Sequence, residues 1–141
     1  MNSSIKSKKE IISYKMSRVR AKNTGIENEL ASALSKNGIR GYRRNARRIL
    51  GTPDFSWRGR KIAVFCDSSF WHGYDWKNQI KTIKTRKKFW INKIEMNISR
   101  DKRISRELRK DGWKVLRFWD FSINKNSNQC AFKIKKALSN T

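Results

Sequence analysis

The sequence predicts an α/β fold, in which a small central mixed β-sheet is flanked by helices. One observation is the short apolar run from Lys61 to Cys66, which is rich in β-prone residues and typical of a buried central strand. A second is the alternating segment from Trp113 to Trp119, which indicates another strand. A third is the helical spacing of apolar residues after Thr24 and between Thr85 and Lys110. Helices that alternate with strands in this way pack in layers on a sheet.

The first helix is expected to begin at Thr24, because Thr24-Gly25-Ile26-Glu27 has the form of a capping box. Apolar residues from Ile26 to Leu34 then recur on one face, and Gly38 ends the helix. The following residues 42–50 alternate weakly and carry four arginines. This segment is therefore either a twisted strand or a basic loop.

A hairpin is predicted next, after the turn Gly51-Thr52-Pro53. Asp54 to Trp57 alternates between polar and apolar residues, as a short strand does. Arg58-Gly59-Arg60 then turns the chain into the apolar strand that ends at Cys66. Residues 67–84 are expected to be irregular.

A long helix is expected from about Thr85 to Lys110, with a kink near Ser99. Residues 128–139 predict a closing helix. The residues expected on the buried face of the long helix are Phe89, Ile94, Ile98, Ile104 and Leu108, and those expected in the core elsewhere are Trp113, Trp119 and Cys130.

The charge balance points to a polyanionic partner. The 141 residues include 35 Lys and Arg against 11 Asp and Glu, a formal net charge of +24. A surface this basic attracts polyanions, and with 11% aromatic residues the favoured partner is nucleic acid. An anionic membrane surface and a ribosomal scaffold are the alternatives. Residues 1–22 predict a basic N-terminal arm, and residues 23–141 predict a single domain.

Other classes of protein do not fit the sequence. Cys66 and Cys130 are too few for a disulfide framework and do not form a Cys-x-x-Cys pair. The N-terminus lacks a signal-peptide pattern, and no apolar run approaches the ~20 residues that a bilayer span needs. The expected compartment is therefore the reducing cytoplasm.

Two aspartates lie at the ends of the predicted hairpin strands. Asp54 opens the first strand and Asp67 closes the second, so both carboxylates are expected at one edge of the sheet. Hard cations such as Mg²⁺ are held near a phosphate by one or two carboxylates, backbone carbonyls and water. The alternative is ordinary, because Asp is common beside turns.

His72 is the only histidine, and it lies in a predicted loop after Asp67. A neutral imidazole can accept a proton from water, and an imidazolium can stabilise a phosphorane. A packing role is the alternative. The neighbouring Phe70 and Trp71 are either wedges that enter a base stack or residues that cap the core.

These residues resemble the core of the very short patch repair (Vsr) endonucleases, bacterial DNA mismatch endonucleases of the restriction-endonuclease-like fold. The central motifs are Gly51-Thr52-Pro53-Asp54-Phe55 and the run from Ile62 to Gly73, which ends in Phe70-Trp71-His72-Gly73. The resemblance covers about residues 16–120. Its flanking motifs are Met16 to Thr24, Ile26-Glu27, Phe89-Trp90, Lys93-Ile94, Asn97, Arg100-Asp101, Gly112 to Leu116 and Trp119.

The resemblance implies a Mg²⁺-dependent DNA endonuclease and assigns the catalytic roles. Asp54 and the backbone carbonyl of Cys66 would bind one or two Mg²⁺ ions, and Asp67 would be a further ligand or a proton acceptor. His72 would move a proton or activate the phosphate. Asp101 would hydrogen-bond His72 and fix its tautomer.

The resemblance also assigns a role to Glu27 and to the residues that would contact DNA. Glu27 would orient water at the metal, besides any role in capping its helix. Phe70, Trp71 and Trp90 would intercalate beside a mismatch. The basic residues expected at the phosphates are Arg18, Arg20 and Lys22 in the arm, and Lys87 and Lys88, for which a solvated helix start is the alternative.

The chain departs from the resembling family at two places. Some members carry a second histidine where this chain has Asp67. Others hold a structural zinc, but the matching positions here are Ser69, Tyr74, Trp76 and Phe121, none of which is a good zinc ligand. No structural zinc is therefore expected, and aromatic packing is expected to take its place.

The leading hypothesis is a nuclease that nicks one strand of duplex DNA 5′ to the T of a T:G mismatch. We expect it to act as a monomer, with mismatch-repair proteins as further partners. One alternative is a site-specific, restriction-type endonuclease of the same fold that cuts matched DNA. The other is a non-catalytic module that binds or bends DNA.

Overall fold

The computed structural model describes residues 25–140, and its centre is a four-stranded sheet of order β1-β2-β3-β4. The helices are α1 (residues 25–36), the short α2 (Trp76–Gln79), α3 (Lys87–Lys110) and α4 (Asp120–Ser139), and the strands are β1 (Arg43–Arg44), β2 (Phe55–Trp57), β3 (Ile62–Asp67) and β4 (Lys114–Trp119). Short 3-10 turns span Arg58–Arg60 and Ile80–Thr82. The predicted α/β class and mixed sheet are confirmed.

The sheet is mixed because one pair of neighbouring strands is parallel and is connected through a helix. β1, β2 and β3 pair antiparallel, with Phe55 opposite Val64. β3 and β4 pair parallel along their whole length, from Ile62 beside Lys114 to Asp67 beside Trp119. Parallel neighbours need a long crossover, and α3 lies within it. The ends of β3 and β4 therefore meet at the same edge of the sheet.

Side chains alternate across β3 and divide the core into two layers. Ile62, Val64 and Cys66 pack in one cluster with apolar residues of α1 and α4, such as Leu30 and Ile134. Ala63 and Phe65 point the other way and pack with Ile104 and Leu108 of α3. The sheet thus has α1 and α4 on one face and α3 on the other.

The structure differs from the predicted elements at several boundaries. Only Arg43–Arg44 of residues 42–50 is strand, and Asn45, with φ of 52°, turns the chain out of it. Helix α4 begins well before residue 128, and Asn126 interrupts it with φ of −158°. The Asn126 side chain then accepts a hydrogen bond from the Gln129 N–H at 3.1 Å. The predicted closing helix is therefore the part after this internal cap.

The predicted kink and one predicted core position of α3 were wrong. Helix α3 runs without a break from Lys87 to Lys110, so there is no kink at Ser99. Phe89 is 46% exposed, whereas the next residue, Trp90, is 8% exposed and packs with Ile83 and Ile94. Trp119 is half-buried and stacks on Phe121 with an interplanar angle of 7°. Trp113 packs partly buried against the α3 layer, and Cys130 is buried as predicted.

The capping residue Thr24 and the arm of residues 1–22 lie outside the described residues. Across residues 25–140, none of the helices has the length and apolar character needed to cross a bilayer.

Candidate active site

A cleft of about 340 Å³ opens at the edge of the sheet where β2 begins and β3 ends. Strands, the turn before β2 and one face of α3 all contribute side chains to it. The lining residues are Gly51, Thr52, Asp54, Phe65, Cys66, Asp67, His72, Arg100, Asp101, Ile104 and Arg117. The hairpin thus places Asp54 and Asp67 at one edge of the sheet, as their spacing predicts.

Asp54 is held where the hairpin opens. The Cys66 backbone N–H donates a hydrogen bond to Asp54 Oδ2 at 2.6 Å, so β3 fixes the carboxylate that precedes β2. Burial raises the pKa of Asp54 from 3.8 to about 7, and the carboxylates of Glu27 and Asp67 add to the rise. The Cys66 hydrogen bond opposes it. Asp54 therefore has two acidic neighbours and, among the described residues, no ion-paired cation of its own.

Glu27 reaches this carboxylate from α1. Its negative charge raises the pKa of Asp54, so the two carboxyl groups are close neighbours. On its other side, Glu27 Oε1 lies 3.5 Å from Nη2 of Arg44 in β1. The structure therefore places Glu27 beside Asp54, where the resemblance expects it to act.

Asp67 ends β3 and faces a cation from the neighbouring strand. The Arg117 Nη1 group donates to both carboxylate oxygens of Asp67 at 3.1 Å. Burial raises the pKa of Asp67, and the positive charges of His72 and Arg117 oppose that rise. Arg117 was not predicted from the sequence. In parallel register it lies beside Phe65, so it shares a face with Asp67, but the sequence does not reveal which strands are neighbours.

His72 lies in the turn that follows β3. The Ser68 backbone carbonyl accepts the His72 N–H at 3.0 Å, and this bond shapes the turn. The ring Nδ1 hydrogen-bonds Asp101 Oδ2 of α3 and lies 3.8 Å from Asp67 Oδ1. Burial lowers the pKa of His72, but the Asp101 hydrogen bond and the two carboxylate charges outweigh it, so the net pKa is raised. Nε2 is the ring nitrogen left for a molecule in the cleft.

The aromatic residues beside His72 form a cluster against the first half of α3. The Trp71 ring packs edge-on to Phe70 at 5.6 Å and to Trp90 at 6.1 Å between centroids. Trp90 is 8% exposed, whereas Phe70 and Trp71 are only partly buried. The Trp71 indole N–H is buried without an acceptor among the described residues. The predicted DNA wedges are therefore together, with Trp90 behind the other two.

A second aromatic group occupies the positions matched to the zinc site of other members. Tyr74 packs edge-on to Trp119 at 5.1 Å and to Phe121 at 4.7 Å. Ser69 donates to Asp120 Oδ2 at 3.3 Å. Trp76 is separate, because its indole N–H donates to Glu95 at 3.1 Å. Aromatic packing thus joins Tyr74 and Phe121 but does not include Trp76.

Cationic side chains flank the cleft. A groove of about 1010 Å³, here called the arginine groove, is lined by Arg43, Arg44, Arg47, Arg48 and Arg58 together with small and polar residues. The Asn45 N–H in this segment donates to the Asp54 carbonyl at 3.2 Å, so the groove adjoins the catalytic edge. Lys87 and Lys88 are exposed at the start of α3. Arg18, Arg20 and Lys22 lie outside the described residues.

The cleft fits a Mg²⁺ ion better than a metal held by side chains alone. Asp54 has acidic neighbours and no ion-paired cation of its own among the described residues, and the Cys66 backbone adjoins it. No three His, Cys, Asp or Glu side chains of residues 25–140 form a group that could hold a metal. Mg²⁺ characteristically uses only one or two carboxylates, with phosphate oxygens and water as its other ligands. The metal ligands and the roles of the site residues stay predictions.

Comparison with known proteins gives consistent similarities. The profile of the family described as DNA mismatch endonuclease Vsr matches residues 5–78. The type II nicking enzyme V.NmeDIP of Neisseria meningitidis serogroup C is 45% identical over 119 residues, which are 84% of this chain and 80% of that protein. V.HpaIIP of Haemophilus parainfluenzae, also a type II nicking enzyme, is 45% identical over 120 residues, 84% of each chain. The DNA mismatch endonuclease Vsr of Escherichia coli is 32% identical over 111 residues, covering 79% of this chain and 70% of that protein.

Proposed function

Because the chain belongs to the Vsr family of DNA mismatch endonucleases and is a DNA endonuclease, we propose a specific reaction for it. In this reaction it nicks one strand of duplex DNA 5′ to the T of a T:G mismatch, with Mg²⁺ as cofactor. The observation that carries the proposal is the adjacency of two groups of residues. The cleft with Asp54, His72 and Asp101 lies directly beside the aromatic cluster of Phe70 and Trp71. Such a site can open a base stack and cleave a phosphodiester next to it.

The residues of the cleft divide the hydrolysis between them. Asp54 and the Cys66 backbone carbonyl would hold Mg²⁺, whose positive charge stabilises the negative charge that develops on the phosphate. His72, held at Nδ1 by Asp101, presents Nε2 to the cleft and moves a proton there. Glu27 lies beside Asp54 and orients water toward the phosphate.

Selectivity for a mismatch would come from the cost of opening the base stack. Inserting an apolar wedge unstacks a step at a cost of a few kcal/mol, and a mismatched step is easier to open. Phe70 and Trp71 are the partly buried members of the aromatic cluster, and the buried Trp71 N–H would gain a base or sugar acceptor when the cluster opens. Trp90 is buried behind them and would enter only when the cluster opens.

A second candidate follows from the relatives that are described as type II nicking enzymes. This candidate is a nickase that recognises a fixed sequence, with or without a mismatch. Both candidates would use the same cleft, because each cleaves one strand of a duplex.

The test is strand nicking of an end-labelled duplex with a single T:G pair, beside its T:A control, in several flanking sequences. We expect nicking 5′ to the mismatched T with Mg²⁺, none with EDTA, and none with Asp54→Ala. Asp111→Ala, which removes an exposed aspartate outside the cleft, is the matched control and should nick normally. Equal nicking of T:G and T:A duplexes would favour the sequence-specific nickase. Duplex binding without nicking in any context would contradict both candidates.

A further inference from the structure

Arg117 brings a guanidinium group from β4 into the cleft and joins three parts of the site. Its Nε donates to Ser105 Oγ at 2.8 Å, and its Nη2 donates to the Asp101 backbone carbonyl at 3.4 Å. Its Nη1 holds both oxygens of Asp67. The group also lies 4.1 Å from the centre of the Phe65 ring. The proposed reaction gives this arginine no role.

The hydrogen bonds of Arg117 already occupy Asp67. Asp67 is 5% exposed, and both of its carboxylate oxygens accept hydrogen bonds from Nη1 of Arg117. A buried carboxylate whose two oxygens both bind one guanidinium is a poor metal ligand or proton acceptor, because its charge is already balanced. Asp54 has no such cation, and its Oδ2 accepts from the Cys66 N–H.

We propose that Arg117 is a positioning residue and that Asp67 serves as its partner, not as a metal ligand or proton acceptor. Arg117 links β4, the end of β3 and one face of α3, and Asp101 and Asp67 are the two carboxylates that face His72 Nδ1. The imidazole is thereby held in one orientation, with Nε2 toward the cleft. The consequence for the reaction rests on the proposed nuclease activity, but the orientation of His72 does not.

The planar guanidinium is essential to this arrangement. The three guanidinium nitrogens donate hydrogen bonds in fixed, different directions to Ser105, Asp67 and Asp101. The single ammonium group of lysine cannot make these three bonds at once. Ser105 and Asp101 are four residues apart on α3, so they lie on one face of the helix, one turn from each other. Arg117 therefore fixes that face of α3 relative to the sheet.

The first test uses His72, the only histidine, as a spectroscopic probe in metal-free protein without DNA. In an NMR spectrum, the ¹H–¹⁵N correlations of its imidazole ring report the tautomer and the surroundings of the ring. A single set of imidazole signals is expected, because the chain has one histidine. We expect Arg117→Met to shift these signals or to change the tautomer pattern, while Arg106→Met, at an exposed position of α3, leaves them unchanged. Unchanged ring signals in folded Arg117→Met protein would overturn the positioning role.

The second test separates binding from turnover. We expect Arg117→Met to lower the nicking rate of saturated complex on the order of 10–100-fold, as for other residues that orient a ligand or catalytic group. The dissociation constant for the duplex should stay within about two-fold of wild type, which corresponds to about 0.4 kcal/mol of binding free energy. Arg117→Lys should not restore the rate. Full rescue by lysine, or a loss confined to binding, would contradict the proposal.

The third test assigns Asp67. We expect Asp67→Asn to need the same Mg²⁺ concentration for half-maximal nicking as wild type, within about two-fold, because its role is not ligation. A rise of about ten-fold or more would make Asp67 a metal ligand and overturn the assignment. In the double variant Asp67→Asn/Arg117→Gln the loss of rate should not exceed that of the more impaired of the two single variants, Asp67→Asn and Arg117→Gln. Losses that multiply would mean that the two residues act separately.

If a single variant does not fold, the double variant is tested in its place. Asp67→Asn/Arg117→Gln removes both charges together and leaves no unpaired buried charge. If wild-type protein nicks no duplex, the proposed function fails, while the His72 signals still decide the positioning role.

Discussion

Asp54 is a carboxyl group that the metal-free fold keeps partly neutral. Burial, followed by the charges of Glu27 and Asp67, raises its pKa from 3.8 to about 7. A raised pKa means that the fold binds this proton more tightly than the unfolded chain does. The stabilising contribution is complete below pH 3.8 and is lost as the pH rises to about 7. At pH 8, ionised Asp54 therefore destabilises the metal-free protein.

We expect Asp54→Asn to be more stable than wild type at pH 8 in EDTA and inactive as a nuclease. The amide oxygen can still accept the Cys66 N–H, while the repulsion disappears. The melting temperature should rise by a few degrees, since about 1 kcal/mol corresponds to roughly 2–8 °C in domains near this size. The gain should shrink at pH 5, where the carboxyl is protonated, and shrink when Mg²⁺ is added to wild type at pH 8.

Thermal unfolding at the two pH values, with and without Mg²⁺, measures this effect. Asp111→Asn is the matched control, because Asp111 is exposed and its side chain lies outside the cleft. A lower melting temperature for Asp54→Asn at pH 8 in EDTA would show that the ionised carboxylate is stabilised by its surroundings.

Among the elements, the turn after β3 depends on close contact with α3. Gly73 follows His72 with φ of 67°, a region that favours glycine. A Cβ on this residue would collide with Ile98 of α3, where the Cγ1 atom would lie 2.8 Å away. The turn therefore carries His72 against the same helix that supplies Asp101.

We expect Gly73→Ala to lower the free energy of unfolding by about 1–3 kcal/mol and to reduce nicking. The backbone strain of the positive φ and the steric overlap of the new Cβ with Ile98 would both move the turn away from α3. Denaturant unfolding and the nicking assay measure the two effects. Gly59→Ala is the matched control, since a Cβ there meets nothing within 4 Å. Ile98→Ala in the Gly73→Ala background should recover part of the activity. Wild-type stability in Gly73→Ala would contradict the close packing.

The elements differ in how far the sequence predicts them. The hairpin and its two aspartates follow from turn residues and alternation, which are local signals. The contact of His72 with Asp101 was implied by family resemblance, because no local signal joins a turn to a distant helix. Arg117 was missed since its partner is set by the parallel register of β4. Phe89 was placed in the core because helical periodicity does not show which of two neighbouring aromatic residues, Phe89 or Trp90, has packing partners.

Over the whole molecule, the net charge of +24 makes salt dependence the main property of duplex binding. The arginine groove adjoins the catalytic edge, and Arg47 and Arg48 in it form no ion pair with a carboxylate of residues 25–140. Arginines beside the cleft that pair with no carboxylate of the described residues would be available to phosphates under the proposed function.

We expect Arg47→Gln/Arg48→Gln to reduce the slope of log affinity against log salt concentration by about 1.8, since each lost phosphate contact removes about 0.9. The nicking rate of saturated complex should stay unchanged. Lys135→Gln/Lys136→Gln on α4 removes the same charge from two exposed positions and should leave the slope nearly unaltered. Equal changes in both variants would assign the effect to net charge and not to the groove. Titration of a fluorescent duplex at several salt concentrations gives the slopes.

The uninterrupted course of α3 has a mechanical consequence. Trp90, which contacts Trp71, and Asp101, which contacts His72, are carried by one uninterrupted helix. At 1.5 Å per residue they are roughly 16 Å apart along its axis, and one inserted residue would rotate one against the other by about 100°. Under the proposed function, this length of helix would set the distance between the opened base step and the cleaved bond, whatever bases the duplex contains.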